Sequence, residues 1–471
     1  MTEPRKPYTR ILARYLEQLR YEDIPDPVVS RAKQVILHTI GASLACFHSK
    51  MAQDSIALAK DMGTGGINAS ILGDGSLVSL QNAAFANGVL ADLLDWEDCS
   101  WTGHPSAGLV PTGIAVSQAY RKSGKELLTA IVGGFEVYQR IAMAINPSLE
   151  RFLSGWGLHC WQIFASATVA GKLMGFKGEK MQQLFGAAAV MTPNALDYLH
   201  ASFSDFYHYT WGLTAKNAIE CAWITERGIT TLTEALEGSS GYYVGTSDQC
   251  DWSWFDKELG QRYLIMELMI KNWPVNMWIQ SPMDLLDGLY KKHRFDPDDI
   301  ERIEVSPYIP RRSEPTPKEG YASLVKAQFS IPFCLAMYLK GPAMGVAWLD
   351  EKYLTDPEIL QLASRVVGIG ETDVSHYHHF VSFQNGGYLT YQMKIIMKDG
   401  SHYQESLDYP KGHPSNPFTD QECIDNFHLQ TRDVLAEDRR DALVDFVFNR
   451  LESVQDMTEM IPYTTIGAGR G

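Results

Sequence analysis

Between Asn87 and Ser106 the chain carries Asp92, Asp95, Glu97 and Asp98, then Gly103, His104, Pro105 and Ser106. Four carboxylates and one histidine fall within thirteen residues, interrupted by Trp96, Cys99 and Trp101. A solvated acidic turn has little use for two indoles and a thiol. Acids crowded beside an imidazole in a half-buried loop shift one another's pKa values, which is how a protein prepares a group for proton transfer. Histidine suits that work because its ordinary pKa lies near neutrality, so it can take and return a proton.

The elements around this run must hold it in place. Residues 8 to 265 read as mostly helical. Asp26-Pro27 is a start signal, and Ala32, Ile36, Ile40 and Leu44 share a face at helical spacing. Segments rich in small residues follow: Asn82 to Leu94, Gly108 to Tyr120, Leu127 to Ala144, Phe164 to Met174 and Gly186 to Met191. Small residues let helix axes approach closely, so these segments predict a bundle with buried central helices. The pattern changes near Lys271. Ile300 to Val305 alternates as a strand does, Tyr388 to Met397 is a second strand, and Asp399-Gly400 supplies hairpin turn chemistry before Ser401 to Ser406. Helices are expected at Ala327 to Leu339, at Pro357 to Val366, after Thr419 with Glu422 closing a capping box, and from Arg439 to Val454 as the last helix. The fold class expected is mainly α: a large helical domain built from both chain ends (residues 1–266 and 406–471), with a smaller α+β lid domain (267–405) inserted between them.

Composition bounds the function. The 471 residues are 45% hydrophobic and 21% charged, with 41 basic against 56 acidic residues and a formal net charge of −15. That balance argues against nucleic acid and anionic lipid as partners. No apolar run reaches the length of a membrane span. Seven scattered cysteines form no CxxC pair and no zinc spacing, so they read as reduced thiols, and a cytoplasmic location is expected. His376, His378 and His379 are the densest histidine group, but without helical ligand spacing and acidic support they read as a polar loop. No metal or other cofactor is expected.

Several segments, in order, resemble the MmgE/PrpD family: "NGVLADLLDWEDCSWTGHPS", "GGFEVYQRI", "GLHCWQIFASATVAGKLMGF", "ERGITTLTEALEG", "KNWP", "AQFSIPF" and "PKGHPSNPFTDQE". That family includes dehydratases, decarboxylases and epimerases of small carboxylic acids. The resemblance implies a homodimer with a metal-independent cleft between its two domains. It matches Asp95 to an active-site aspartate, His104 and His159 to two acid/base histidines, and Lys271 to a lysine that would hold a substrate carboxylate. Asp95 would orient His104 or serve as an acid. The chain also departs from the family. Where the family has a lysine stand Tyr207 and His208, with Thr210 in place of a following histidine. Gln280 replaces a lid histidine, Phe333 a tyrosine of decarboxylases, and Cys99 a threonine. Tyr207, His208, Gln280, Phe333 and Cys99 are thus expected, with Lys271, to line the substrate pocket. The function expected is proton abstraction next to a carboxylate on a small carboxylated metabolite, with dehydration ahead of epimerisation and decarboxylation. A dimeric homologue that binds without turnover is the alternative of another class.

Overall fold

Small residues set how closely the central helices meet. Helix α3 (Leu80–Asp92) crosses α8 (Phe206–Glu226) at Gly88 and Gly212. A Cβ at Gly88 would stand 2.9 Å from the Gly212 Cα, and one at Gly212 would stand 2.3 Å from the Phe85 carbonyl oxygen. Only paired glycines permit this approach, and it aligns the end of α3 with the start of α8. Around the crossing pack α2 (Asp26–Ala45), α4 (Pro105–Ala119), α5 (Gly124–Ala144), α6 (Gln162–Leu173) and α7 (Gly178–Val190), with α1 (Tyr8–Gln18) against α7. The computed structural model describes residues 5–100, 103–153, 161–192, 203–370 and 387–467. His159 and the His376, His378 and His379 group lie outside them.

The C-terminal segment returns to this bundle. Helix α11 (Asp420–Thr431) opens with the expected Thr419–Glu422 capping box and packs on α2. A Cβ at Gly41 of α2 would fall 2.1 Å from Gln430 Oε1, so the side chain of α11 fills the space the glycine leaves.

The middle of the chain carries a four-stranded sheet, ordered β4 (Val366–Gly368), β3 (Ile300–Ser306), β5 (Tyr391–Met397) and β6 (His402–Leu407). Strand β3 runs parallel to β4 and antiparallel to β5, with Ile303 opposite Ile395 and Val305 opposite Met393. Ile300 and Ile303 are three residues apart yet both buried, because a register shift between Ile300 and Arg302 inserts one extra residue. Helix α9 (Gln280–His293) covers β5 and β6, and α10 (Ile331–Lys340) packs on α9.

Mainly helical architecture with small sheets agrees with the expectation, but several local boundaries do not. The helix expected over Ala327 to Leu339 is two, Leu324–Gln328 and α10. Pro332 lacks an N–H and starts the second, where the Ser330 hydroxyl accepts from the Phe333 N–H. Pro357–Ala363 stops short of Val366, which begins β4. The helix expected from Arg439 to Val454 spans Glu437–Asp445, widens to a π turn at Phe446–Arg450, and is followed by Ile461–Thr464. Asp26 sits in the first turn of α2 rather than capping it. Residues 227 to 265, expected as helix, form turns and short 3-10 segments around Tyr242–Thr246.

Candidate active site

Four backbone features gather the acidic run. Helix α3 ends at Asp92, and Asp95 turns the chain in the left-handed region (φ 51°), its N–H donating to the Asp92 carbonyl at 2.8 Å. Aspartate tolerates that conformation better than most residues. The chain then runs back as β1 (Asp98–Cys99), antiparallel to β2 (Met269–Ile270). Lys271 follows β2 directly, its N–H donating to the Glu97 carbonyl at 3.1 Å. His104 occupies the cap position of α4, where Gln162 of α6 donates to its carbonyl oxygen at 3.1 Å. Asp98 accepts the Ser106 N–H in the first turn of α4 at 3.0 Å.

These elements converge on His104. Its Nδ1 is in short contact with Glu97 Oε1, and 3.4 Å from carboxylate oxygens of both Asp92 and Asp95. On the other side of the ring, the Tyr207 hydroxyl lies 3.0 Å from Nε2. Lys271 Nζ bonds Asp95 Oδ1 and stands 3.2 Å from both Glu97 Oε1 and His104 Nδ1. Every one of these side chains is buried. Asp95 Oδ2 and Glu97 Oε2 have no hydrogen-bond partner among the described residues.

Adjoining this group, His208 and Asp92 settle their own protonation. Gln328 donates from Nε2 to the Leu93 carbonyl at 2.9 Å, which turns its Oε1 toward His208 Nε2 at 3.1 Å. That oxygen can only accept, so His208 carries its proton on Nε2. The Nδ1 faces Asp92 Oδ2 at 2.6 Å. Burial lowers the His208 pKa to about 4, and burial with the repulsion of Glu97 and Asp95 raises Asp92 well above the usual carboxylate range. Both shifts favour Asp92 as the donor to a neutral imidazole.

The same logic governs the rest. Burial, and then the Lys271 charge, lowers His104 to about 3 against the opposing pull of Asp95, so its ring is neutral at pH 7. Burial raises Asp95 and Glu97, and takes Asp98 to about 7. Burial alone would pull the Lys271 ammonium down, but Asp95 and Glu97 outweigh it and hold the pKa above the ordinary lysine value. Four carboxyls facing one ammonium cannot all ionise in a low-dielectric interior, so protons are retained among them. One proton is shared between Glu97 and His104. When it rests on Nδ1, Nε2 offers its lone pair to the Tyr207 hydroxyl, or to a substrate proton in its place.

Asp92, Asp95, Glu97 and His104 each present a ligand atom within 4.8 Å of the others, a spacing compatible with a metal ion. Lys271 inserts its ammonium among the same oxygens and already supplies a positive charge there.

The structure brings Asp95, His104, Lys271, Tyr207 and His208 into one cluster, with Cys99 close enough to feel the Lys271 charge. Gln280 differs from expectation. Its Oε1 accepts from the Asn272 and Trp273 N–H groups, each at 3.1 Å, and its Nε2 donates to the Trp273 and Val275 carbonyls, each at 2.9 Å. No donor or acceptor remains for a ligand, so the amide holds the loop after Lys271 rather than a substrate. Phe333 packs its ring against Tyr321 in the first turn of α10. Orientation of His104, expected of Asp95, falls to Glu97. Asp95 and Glu97 flank Trp96 and both reach the cluster across the left-handed turn at Asp95, an arrangement the sequence does not announce. Gln328 lies within the "AQFSIPF" segment, but nothing there marked it as the residue that fixes a histidine tautomer.

The sequence as a whole belongs to a recognised class. The MmgE/PrpD N-terminal domain matches residues 10–254 and the MmgE/PrpD C-terminal domain matches residues 273–449. The chain is a member of the MmgE/PrpD family. It is similar to the cis-aconitate decarboxylase of Aspergillus terreus, 22% identical over 482 residues that cover 96% of this chain and 95% of that protein. The human cis-aconitate decarboxylase is 24% identical over 478 residues, covering 96% and 93%. The probable 2-methylcitrate dehydratase of Saccharomyces cerevisiae is 24% identical over 416 residues, covering 81% and 77%. Relatives of both reaction types support a lyase-type role. No helix among the described residues is long and apolar enough to cross a membrane.

Proposed function

We propose that the protein is a cofactor-independent lyase that removes a proton next to a carboxylate on a small carboxylated metabolite, with dehydration as its reaction. The supporting observation is a buried His104 held between Glu97 and Tyr207, beside three further buried acids and one ammonium. His104 takes the carbon-bound proton. The carbon–hydrogen electron pair becomes the new double bond, and the hydroxyl on the adjacent carbon leaves as water, taking a proton from an acid. Lys271 steadies the charge that develops on the carboxylate. An anionic substrate raises the His104 pKa from its empty-site value, toward the range in which a base works near neutral pH. His159, expected from the family resemblance, is proposed as the acid on the other face. Retained-proton carboxyls favour protonating a hydroxyl leaving group, hence dehydration. Decarboxylation is the second reading, favoured by cis-aconitate decarboxylases that match along nearly the full chain.

Segments 1–266 and 406–471 are proposed as the helical domain and 267–405 as the lid, the substrate entering where Lys271 meets the acidic loop. We place the enzyme in the cytoplasm. A homodimer is proposed because large apolar side chains stand in water on α7, α8 and the loop after it: Val190 is 82% exposed, Phe206 53% and Ile229 57%. Sedimentation at the monomer mass would refute the dimer.

Incubation with 2-methylcitrate and with cis-aconitate in deuterated water tests the reaction. Loss of water supports dehydration, loss of carbon dioxide the second reading, and deuterium uptake without mass loss an epimerase. No exchange with either would favour binding without turnover. Substituting His104→Ala should reduce turnover at least about 100-fold, the usual size of an acid/base contribution. Near-normal turnover would remove His104 from the mechanism.

A further inference from the structure

Close to the cluster lies a cation that none of the foregoing roles uses. Arg312 is only 6% exposed, yet no carboxylate among the described residues forms an ion pair with it. Its backbone is pinned, with the N–H donating to the Ile309 carbonyl at 3.0 Å and the carbonyl accepting the Ile331 N–H at 2.8 Å. Its guanidinium lies over the Phe329 ring at 4.7 Å and the Phe203 ring at 5.5 Å. Only Nε is bonded, to Asn276 Oδ1 at 3.2 Å, and neither Nη group has a partner among the described residues. Burial pulls its pKa down to about 10, which leaves it charged at neutral pH. Asp95, a cluster acid whose charge acts on Arg312, is already bonded to Lys271.

Four unused N–H donors on a guanidinium that no acid among the described residues answers leave it ready to meet an arriving anion. Stacked on two rings and held at Nε, the fork is fixed in advance, so little rotamer entropy is lost when it binds. Its place relative to the chemistry is also defined. Phe329 meets the Tyr207 ring edge-on at 5.4 Å, and the Tyr207 hydroxyl bonds His104 Nε2 at 3.0 Å. The Tyr391 hydroxyl, fully buried and without a partner among the described residues, feels the Arg312 charge and is a second unspent polar group on this side.

We propose that Arg312 is the specificity-determining residue of the site, its planar fork gripping a carboxylate of the substrate distant from the carbon that His104 deprotonates. The inference rests on the proton-transfer reading only in taking His104 as the reacting end. The fork answers a second carboxylate of that substrate while Lys271 holds the first.

Titration calorimetry of the full-length enzyme with tricarballylate (propane-1,2,3-tricarboxylate), against inorganic phosphate and chloride at equal ionic strength, tests it. Wild type should bind tricarballylate well ahead of phosphate. Arg312→Gln should raise the Kd about 10- to 100-fold, the worth of a charge-assisted bidentate pair. Its Tm without ligand should be unchanged or higher, because an uncompensated buried charge is gone. The exposed neighbour, in Arg311→Gln, should bind as wild type does. If Arg312→Gln does not fold, Arg312→Lys carries the test, since it keeps the charge but loses the fork, and its Kd should rise at least about threefold. An unchanged Kd in the folded Arg312 variant, equal affinity for phosphate, or no tricarballylate binding by wild type would each overturn the proposal. Failure of the proton-transfer reading is seen separately: His104→Ala would keep deuterium exchange while Arg312→Gln loses the carboxylate.

Discussion

Two buried ionic assemblies sit in the helical part of the molecule, and they are built on opposite plans. Glu136 and Arg140, one turn apart on α5, are each 1% exposed and fully spent. Glu136 Oε1 accepts from Arg140 Nε at 2.8 Å, and its Oε2 accepts the Leu264 N–H at 2.9 Å. Arg140 Nη1 donates to the Trp254 and Lys257 carbonyls. One charge meets one charge, and the pair ties the turns of residues 252–264 to the bundle. The cluster around His104 instead sets four carboxyls against one ammonium and leaves oxygens of Asp95 and Glu97 without a partner among the described residues. A balanced pair fixes structure. An unbalanced cluster stores protons, and that is what a site for proton transfer requires.

If the difference is real, the two assemblies should fail differently. Arg140→Ala strands Glu136 in the interior and should cost about 3–5 kcal/mol, the usual penalty for removing one partner of a buried pair. Urea unfolding reads this directly. Unfolding at the wild-type urea concentration would mean that the pair is not the staple described, and the contrast with the cluster would lose one side.

What the sequence made legible follows the same division. Amphipathic and small-residue patterning is local, so the buried helices from α2 to α6, the β3 and β5 strands and the Thr419 capping box could be read from spacing alone. The acidic run and His104 were visible because they are close in sequence. Partners from afar were not. Glu97 displaced Asp95 as the group against His104 because a left-handed turn at Asp95 redirects the chain, and no residue type announces that turn. Gln280 could not be told from a ligand because its role depends on where the Asn272–Val275 backbone folds. Arg312, beside Arg311, reads as one of two surface cations until the rings of Phe203 and Phe329 cover one and leave the other out.

Within the cluster itself, proton storage has a pH signature. Asp98 titrates at about 7 in the folded protein, against an ordinary value of 3.8, because burial opposes its charge. A raised carboxyl contributes stability that is complete below the unfolded pKa and is lost as pH rises toward the folded one. Between pH 5 and pH 8 this group should therefore cost about 2 kcal/mol. Asp98→Asn keeps an acceptor for the Ser106 N–H and removes the titration, so its stability relative to wild type should grow over that interval. The buried neutral histidines His38, His104 and His208, at about 4, 3 and 4, lose stability in the other direction as pH falls through 6.5. They are common to both proteins and cancel in the difference. An Asp98→Asn advantage that is flat with pH would mean that the carboxylate is ionised throughout, and the cluster would not be a proton store.

The smallest expected effect is the sharpest on what balances the cluster. Oxygens of Asp92, Asp95 and Glu97 with a nitrogen of His104 approach one another as metal ligands do. In the Glu136 pair the counter-charge is a fixed guanidinium. In the cluster it is Lys271, whose ammonium contacts two of those acids and comes within 3.2 Å of His104. A divalent ion entering there would have to compete with that amine and displace the proton shared by Glu97 and His104, which is costly near neutral pH. Dialysis against a strong chelator should thus leave turnover and Tm unchanged, and added magnesium, manganese or zinc should not raise either. Activity that falls on chelation and returns with one of these ions would make the cluster a metal centre, with Lys271 as an outer neighbour and the proton-store contrast replaced by one between an ion pair and a coordination site.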